Sequence, residues 1–267
     1  MNRIDGCTAL ITGASAGIGR EFARQLASRA VAIVLVARRR ARLEELRNEL
    51  AKINSNLRIH IRDIDLSDER AVIQMVDSLG AENLKVDFLI NNAGLGDYGA
   101  FATSNPERVR QMLAVNITAL TLLTRSFLPA MIEQKRGVIL NVSSTAGFLP
   151  LGNFAVYAAT KAFVTSFSEG IRSELRGNGI VVTALCPGPV DTEFTDVARR
   201  SPTSGPKSTP NFVKVPVEKV VEVTLAAIEN DKPIVIPGLF MKAAMLLTRL
   251  MPAPLLRLVS QASAKRL

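Results

Sequence analysis

The chain has 267 residues, of which 48% are hydrophobic and 21% are charged. This excludes a disordered protein and leaves room for one large α/β domain or two small ones. Lys and Arg exceed Asp and Glu by 33 − 24 = +9, which indicates an anionic partner such as a cofactor, a substrate or a membrane surface. Aromatic residues are only 5% and no basic stripe alternates with them, so we exclude nucleic acid.

The N-terminus and the cysteines indicate the compartment. Residues 1–6 lead at once into an apolar strand and leave no room for the apolar core of a signal peptide. Cys7 and Cys186 have no paired spacing, so we interpret them as reduced core cysteines. We therefore expect a cytoplasmic protein.

A glycine-rich turn joins the first predicted strand, residues 8–12, to the first predicted helix. Its sequence is Gly13-Ala14-Ser15-Ala16-Gly17-Ile18-Gly19. Strand, glycine loop and helix in this order aim backbone N–H groups and a helix N-terminus at a phosphate. The spacing is G-x-x-x-G-x-G, which differs from the common G-x-G-x-x-G fingerprint. The turn therefore predicts a nucleotide-phosphate site.

The second predicted strand, residues 31–37, is continuously apolar, as a parallel strand buried on both faces should be. Its end meets the adenosine ribose in a dinucleotide-binding sheet, where a carboxylate accepts the 2′-hydroxyl of NAD and an arginine accommodates the 2′-phosphate of NADP. Arg38 and Arg39 stand here without a carboxylate, which favours NADP. We interpret Arg40 and Arg42 as the solvated start of the next helix.

The middle of the chain continues the alternation of strands and helices. Further strands are predicted at residues 57–61, 86–90 and 137–142. Ser67 is predicted to be the N-cap of a helix that ends near Leu79. Asn116 is embedded in a long apolar helical pattern, where a buried amide must find partners. His60, the only histidine, has no acid or nucleophile in a recognisable arrangement, and we assign it no role.

A helix predicted over residues 154–175 carries Tyr157 and Lys161 one turn apart on the same face. A phenol beside a fixed ammonium is an acid–base device, because the phenol pKa of about 10 falls when a positive charge favours phenolate. For the pair taken alone, a half-buried tyrosine beside a solvated lysine is the commoner explanation. Strands at residues 180–185 and 233–236 complete the predicted sheet.

Two C-terminal segments are assigned from composition. Residues 199–214 are rich in Ser, Pro, Thr and Gly and lack periodicity, which indicates part of a substrate lid near residues 189–214. The tail, residues 239–267, follows the catalytic domain of residues 1–238 and has charges and prolines around its apolar run. These interruptions exclude a spanning helix of ~20 apolar residues. We rank packing on the domain or on a subunit partner first, and contact with a membrane surface second.

Taken in order, these motifs resemble the classical short-chain dehydrogenase/reductase family over residues 4–240. The resemblance rests on Thr12-Gly13-x-x-x-Gly17-Ile18-Gly19, Asn91-Asn92-Ala93-Gly94, Asn116, Ser144, Tyr157-x-x-x-Lys161 and Pro187-Gly188. It implies a single-domain, Rossmann-like, doubly wound α/β fold with about seven parallel strands and helices on both faces. It further implies NADP(H) at the carboxyl edge of the sheet and a homodimer or homotetramer.

The resemblance also implies roles for individual residues. Tyr157 would exchange a proton with the substrate oxygen, Lys161 would lower the phenol pKa, and Ser144 would hydrogen-bond the same oxygen. Asn116 would anchor a water of the proton relay. Ser143 is the alternative to Ser144, and the family spacing to the tyrosine favours Ser144. The cofactor would contact Gly13, Ser15, Ala16, Gly17, Ile18, Gly19, Arg38, Arg39, Asp65, Leu66, Asn92, Ala93, Gly94, Tyr157, Lys161, Pro187, Gly188, Val190 and Thr192.

Apolar residues on the substrate side predict an apolar ketone or secondary alcohol. These residues are Phe148, Leu149, Leu151, Phe154, Pro189, Phe194 and Phe212. Two other functions stay open: an NADP(H)-binding regulatory or scaffold protein with little turnover, and a membrane-peripheral reductase of lipid-like or acyl substrates. The chain departs from the family at Ala30, where glycine is usual, and a left-handed helix end there would cost up to ~1 kcal/mol.

Overall fold

The fold is built on a parallel sheet, and the computed structural model describes the chain over residues 3–200, 213–252 and 254–258. The strands are β1 (Thr8–Thr12), β2 (Ala32–Val36), β3 (Arg58–Arg62), β4 (Phe88–Asn91), β5 (Gly137–Val142), β6 (Ile180–Leu185) and β7 (Ile234–Val235). All neighbours in the order β3-β2-β1-β4-β5-β6-β7 are parallel. The order reverses between β1 and β4, which is where ligand crevices open in such sheets.

Helices cover both faces of the sheet, which confirms the doubly wound fold. They are α1 (Gly17–Leu26), α2 (Arg40–Ile53), α3 (Glu69–Ala81), α4 (Pro106–Leu113), α5 (Leu120–Gln134), α6 (Ala155–Glu174), α7 (Phe194–Ala198), α8 (Val217–Glu229) and α9 (Leu239–Leu250). Within β2, Ile33 and Leu35 join the core beneath α1, α2 and α8, whereas Val34 and Val36 join the core beneath α3 and α5. The continuous apolar run of β2 therefore reflects burial on both faces.

Two local predictions were wrong. Asp68, not Ser67, is the N-cap of α3, and its carboxylate accepts two N–H bonds from the first turn. The Ser67 hydroxyl donates instead to Asp65 Oδ1 at 2.8 Å, so it is not available as a cap. Ala30 is not among the residues with positive φ, and its N–H donates to Leu26 O at 2.8 Å. Alanine at this helix end therefore does not destabilise the fold in the way that a left-handed residue would.

Helices α4 and α5 are joined without a break by a π-helical segment, Ala114–Ala119. Within the described residues, the resulting stretch Pro106–Gln134 is the one that is long and apolar enough to cross a membrane, by length and composition only. In its apolar window 44% of the residues are buried inside the fold, with Leu123 and Phe127 in the core beside the sheet. This packing is that of a core helix.

Candidate active site

A cavity of about 730 Å³ opens at the carboxyl edge of the sheet and gathers most of the predicted site residues. Those that line it are Gly13, Ser15, Ala16, Gly17, Ile18, Arg38, Arg39, Asp65, Leu66, Asn92, Ala93, Gly94, Ser144, Tyr157, Lys161, Pro187, Gly188, Val190 and Thr192. Gly19 and Asn116 do not line it and lie behind its wall. Residues far apart in the chain meet here because parallel strands end at one edge of the sheet.

The glycine loop fits a cofactor phosphate. Gly13 and Gly17 have φ of +67° and +54°, a region that glycine adopts without strain. A Cβ on Gly19 would lie 2.4 Å from Asn92 Nδ2 and 2.6 Å from Gly13 O, so this position requires glycine for close packing. The N-cap residue of α1, Ala16, offers no side-chain hydrogen bond. The first N–H groups of α1 are therefore available to an anion.

Arg38 and Asp65 lie at the end of the cavity where the adenosine ribose is expected. The Arg38 guanidinium is 3.5 Å from Asp65 Oδ2, and both side chains are largely exposed. Partial burial alone would raise the pKa of Asp65, but hydrogen bonds from Ser67 and the charge of Arg38 hold this pKa below its ordinary value. The carboxylate is thus ionised and lies beside the arginine predicted to select NADP.

Arg39 lies closer to the glycine loop than the sequence suggested. Its guanidinium donates to Ser15 Oγ at 3.0 Å and to Glu193 Oε2 at 2.8 Å. Glu193 also accepts from Arg42 at 2.5 Å, and the hydrogen bonds from the two arginines lower its pKa. Arg42 was predicted to be only solvated, whereas it shares this carboxylate. No sequence pattern indicated Glu193, which is 154 residues from Arg39.

Tyr157, Lys161 and Ser144 meet at the inner end of the cavity. Tyr157 and Lys161 are only 6% and 4% exposed. Lys161 Nζ lies 5.7 Å from the centroid of the tyrosine ring and donates to Val142 O at 2.8 Å. The Ser144 hydroxyl accepts from Ala146 N at 3.1 Å and is close enough to the phenol to lower its pKa. The Ser143 hydroxyl instead donates to Lys161 O at 2.7 Å, so the geometry favours Ser144 as the serine that acts with the tyrosine.

Burial controls the ionisation of the pair. It raises the pKa of Tyr157 to about 12, against the opposing hydrogen bond from Ser144. It also lowers the pKa of Lys161 to about 8. Burial is thus the dominant influence on the phenol pKa, and the role of Lys161 in lowering this pKa stays a prediction. The phenolate loses its hydration, and the ammonium is bonded to a backbone carbonyl instead of the phenol oxygen.

Lys161 predicts a measurable pH dependence of stability. Its pKa is about 8 in the folded protein and 10.5 as an ordinary lysine, so between these values the unfolded chain binds more protons. The free energy of unfolding therefore rises with pH across this window, by up to about 3 kcal/mol. Urea unfolding across the window is expected to show this rise for the wild type relative to Lys161→Met. Parallel pH profiles of the two proteins would contradict the assignment.

Asn116 supports the site from behind. It is 1% exposed, and its Nδ2 donates to Leu95 O at 2.9 Å and to Thr160 Oγ1 at 3.0 Å. Its Oδ1 accepts from Leu95 N at 2.8 Å. The buried amide thus has partners, and it ties the π-helical segment to α6 and to the loop after β4.

Apolar side chains surround the end of the cavity next to Tyr157. The predicted residues that line it are Leu149, Leu151, Phe154, Pro189 and Phe194. The Phe154 ring stacks on the Tyr157 ring at 4.3 Å between centroids. Phe148 does not line the cavity and lies instead beneath the Arg249 guanidinium, at 4.9 Å. Residues 201–212 of the predicted lid, which include Phe212, lie outside the described residues.

Helix α9 also contributes to this wall, through Met241 and Met245. The sequence-based prediction placed the tail on the domain or on a partner without identifying these residues. Their i, i+4 spacing on an apolar helix was the available signal.

A buried ion-pair cluster holds α7 against the loop after β4. The Asp97 side chain is 3% exposed and accepts two bonds from Arg200, at 2.9 and 2.6 Å. Arg108 lies 3.3 Å from the same carboxylate and donates to Val197 O. A Cβ on Gly96 would lie 2.9 Å from the Phe194 ring. The cluster therefore fixes the position of one aromatic wall of the cavity.

The fold and the site define a dinucleotide-binding oxidoreductase. The family model for short chain dehydrogenase matches residues 7–202, and the chain belongs to the short-chain dehydrogenase/reductase family.

Known relatives agree with this assignment. The NADP-dependent 3-hydroxy acid dehydrogenase of Escherichia coli (strain K12) is 39% identical over 191 residues, covering 70% of this chain and 75% of that protein. The very-long-chain 3-oxoacyl-CoA reductase of Rattus norvegicus is 34% identical over 217 residues, covering 79% and 68%. A solved short-chain dehydrogenase from Sphingobium yanoikuyae in complex with NADPH has a TM-score of 0.79 and 31% identity, covering 92% of this chain and 97% of that one.

Proposed function

We propose that the protein is an NADP(H)-dependent oxidoreductase that interconverts an apolar ketone and its secondary alcohol. The observation that carries this proposal is the cluster of Ser144, Tyr157 and Lys161 at the inner end of a cavity whose other end suits a dinucleotide. NADP(H), when bound, supplies or accepts the hydride at C4 of the nicotinamide. By their names, one of these relatives dehydrogenates a 3-hydroxy acid and the other reduces a very-long-chain 3-oxoacyl-CoA.

Each of the three side chains has a separate task in this mechanism. The Tyr157 phenol donates a proton to the carbonyl oxygen as the alcohol forms, and accepts it in the reverse direction. The Ser144 hydroxyl donates a hydrogen bond to the same oxygen and stabilises its developing negative charge. The Lys161 ammonium, in the role that the family resemblance implies, favours phenolate and so opposes the rise that burial causes in the phenol pKa. Burial of Tyr157 and Lys161 limits the access of water to the reacting atoms.

Reduction of a panel of apolar ketones with NADPH tests the proposal directly. Turnover is expected with at least one ketone whose carbonyl is flanked by apolar groups, since Leu149, Phe154 and Phe194 surround the reacting end. A regulatory or scaffold protein would bind NADPH, with a melting shift, and oxidise it with none of the ketones. Such a result would support that second function in place of this one.

Cofactor choice is predicted from Arg38 and Arg39. At equal concentrations, NADP is expected to raise the melting temperature more than NAD, because stabilisation follows RT ln(1 + [L]/Kd). Arg38→Gln combined with Arg39→Gln removes charge-assisted bonds, each contributing about 1.5–3 kcal/mol. NADP affinity should then fall at least about tenfold with little change for NAD. Arg40→Gln, at an exposed arginine paired with Asp63, is the matched control. Equal wild-type shifts with the two cofactors would contradict the assignment.

Assembly and location are part of the same proposal. We expect a homodimer or homotetramer, which analytical ultracentrifugation measures. We also expect a reducing, cytoplasmic compartment, which is supported by the two buried free thiols of Cys7 and Cys186. Burial raises the pKa of these thiols to about 12 and about 11, so both are poor nucleophiles.

A further inference from the structure

Helix α9 is apolar on two opposite sides. On the inner side Met245 is 5% exposed, and Met241 lies so close to Gly188 that a Cβ there would meet its Cγ at 2.9 Å. The outer side carries four leucines that are 61% to 87% exposed in the described structure: Leu239, Leu246, Leu247 and Leu250. The short helical turn that follows α9 adds Leu255 and Leu258, at 47% and 62%. Exposed leucines in one continuous stripe mark an interaction surface.

Within the described part of the tail, the charged residues of α9 and of the turn after it are all basic. Residues 239–267 contain five Lys and Arg residues and no Asp or Glu. Lys242 and Arg249 are both exposed and are two helical turns apart, on one flank of the leucines, where Arg249 also lies over the Phe148 ring. A self-complementary contact between two copies of the chain would place these like charges close to each other. An anionic lipid surface matches both the leucines and the charges.

The inner side connects this surface with the chemistry. Met241 and Met245 line the same cavity as Tyr157 and Lys161, and Gly188, which contacts Met241, also lines it. A single helix therefore forms both the outer apolar face and part of the cavity wall.

We propose that the outer face of α9 binds an anionic phospholipid bilayer and places the cavity at the membrane surface, so that a lipid-dissolved carbonyl compound enters from the bilayer. The statement about the substrate rests on the proposed function, whereas the membrane contact does not. Such a helix lies in the interfacial plane with its apolar side among the headgroups and upper acyl chains, and basic residues on its flanks strengthen the attachment.

Co-sedimentation of the full-length protein with vesicles tests the contact. The protein is expected to sediment with vesicles of equimolar phosphatidylcholine and phosphatidylglycerol, less with phosphatidylcholine alone, and less as salt is raised. Leu246→Gln combined with Leu247→Gln should weaken binding at least about tenfold with an unchanged melting temperature. Ile53→Gln combined with Ile73→Gln, at sites 50% and 46% exposed on α2 and α3, is the matched control and should bind like the wild type.

Each other outcome has a definite meaning. Wild-type protein that stays in the supernatant with anionic vesicles overturns the inference. So does an oligomer that dissociates in the leucine variant without any vesicle binding, because the face would then join two copies of the chain. Turnover of a water-soluble ketone should be equal in wild type and leucine variant, whereas turnover of a vesicle-borne ketone should fall in the variant. Vesicle binding without turnover of any ketone overturns the proposed function and leaves the membrane contact standing.

Discussion

Replacing Tyr157 with phenylalanine is expected to lower kcat for ketone reduction by about a hundred- to ten-thousandfold, the range for loss of a general acid. The variant keeps the ring that stacks on Phe154 at 4.3 Å and loses only the proton donor. The KM for NADPH should therefore change little, since the cofactor-binding surface is intact. Initial rates with NADPH and a saturating ketone, together with a thermal melt, measure both effects.

Tyr98→Phe is the matched control for this experiment, because Tyr98 is the only other tyrosine in the chain. Its backbone N–H donates to Ala198 O at 2.8 Å, a contact that the substitution leaves in place. We expect its kcat to stay close to the wild-type value. A Tyr157→Phe enzyme that turns over within tenfold of wild type would exclude the phenol as the proton donor.

Replacing Asp97 with asparagine is expected to destabilise the protein by about 3 kcal/mol, the lower end of the range for breaking a buried ion pair. The carboxylate is 3% exposed, whereas Arg200 and Arg108 are 23% and 36% exposed, so the arginines recover part of their hydration. Because the cluster holds α7 and its Phe194, substrate KM should rise more than kcat falls. Urea unfolding and steady-state kinetics measure the two effects.

Glu107→Gln provides the comparison for Asp97→Asn. It removes an ion pair with Arg110 in which the side chains are 54% and 74% exposed, and such surface pairs contribute less than about 1 kcal/mol. If the Asp97 variant were no less stable than the Glu107 variant and had an unchanged KM, the cluster would have no role in positioning α7.

The sheet and the centre of the site could be predicted because the sequence patterns that indicate them lie within short segments of the chain. The largely apolar runs of β5 and β6 have ends that agree with the structure, since strands buried on both faces are near-continuously hydrophobic. The polar exceptions, Asn141 and Thr183, are buried and hydrogen-bonded. Tyr157 and Lys161 share a helix face by spacing alone. Ser144 joins them because parallel strands all end at one edge of the sheet.

The remaining features depend on contacts between distant segments. Asp97 and Arg200 are 103 residues apart, and in the sequence each looks like an ordinary solvated charge of a loop. The pKa of Tyr157 depends on how completely the phenol is buried, which no spacing pattern reveals. The N-cap of α3 is Asp68 and not the adjacent Ser67. The Ser67 hydroxyl donates to Asp65 Oδ1, a contact that the sequence pattern does not indicate.

Glu193 places a carboxylate among the arginines that line the cofactor end of the cavity. Glu193 bridges Arg39 and Arg42, so under the proposed cofactor assignment a 2′-phosphate would compete with Glu193 for Arg39, and the affinity for NADP would reflect the difference between the two anions. The bridge is exposed and contributes only about 1 kcal/mol, so a doubly charged phosphate displaces it readily. Glu193 immediately precedes α7, so this exchange links cofactor choice to the aromatic wall around the substrate.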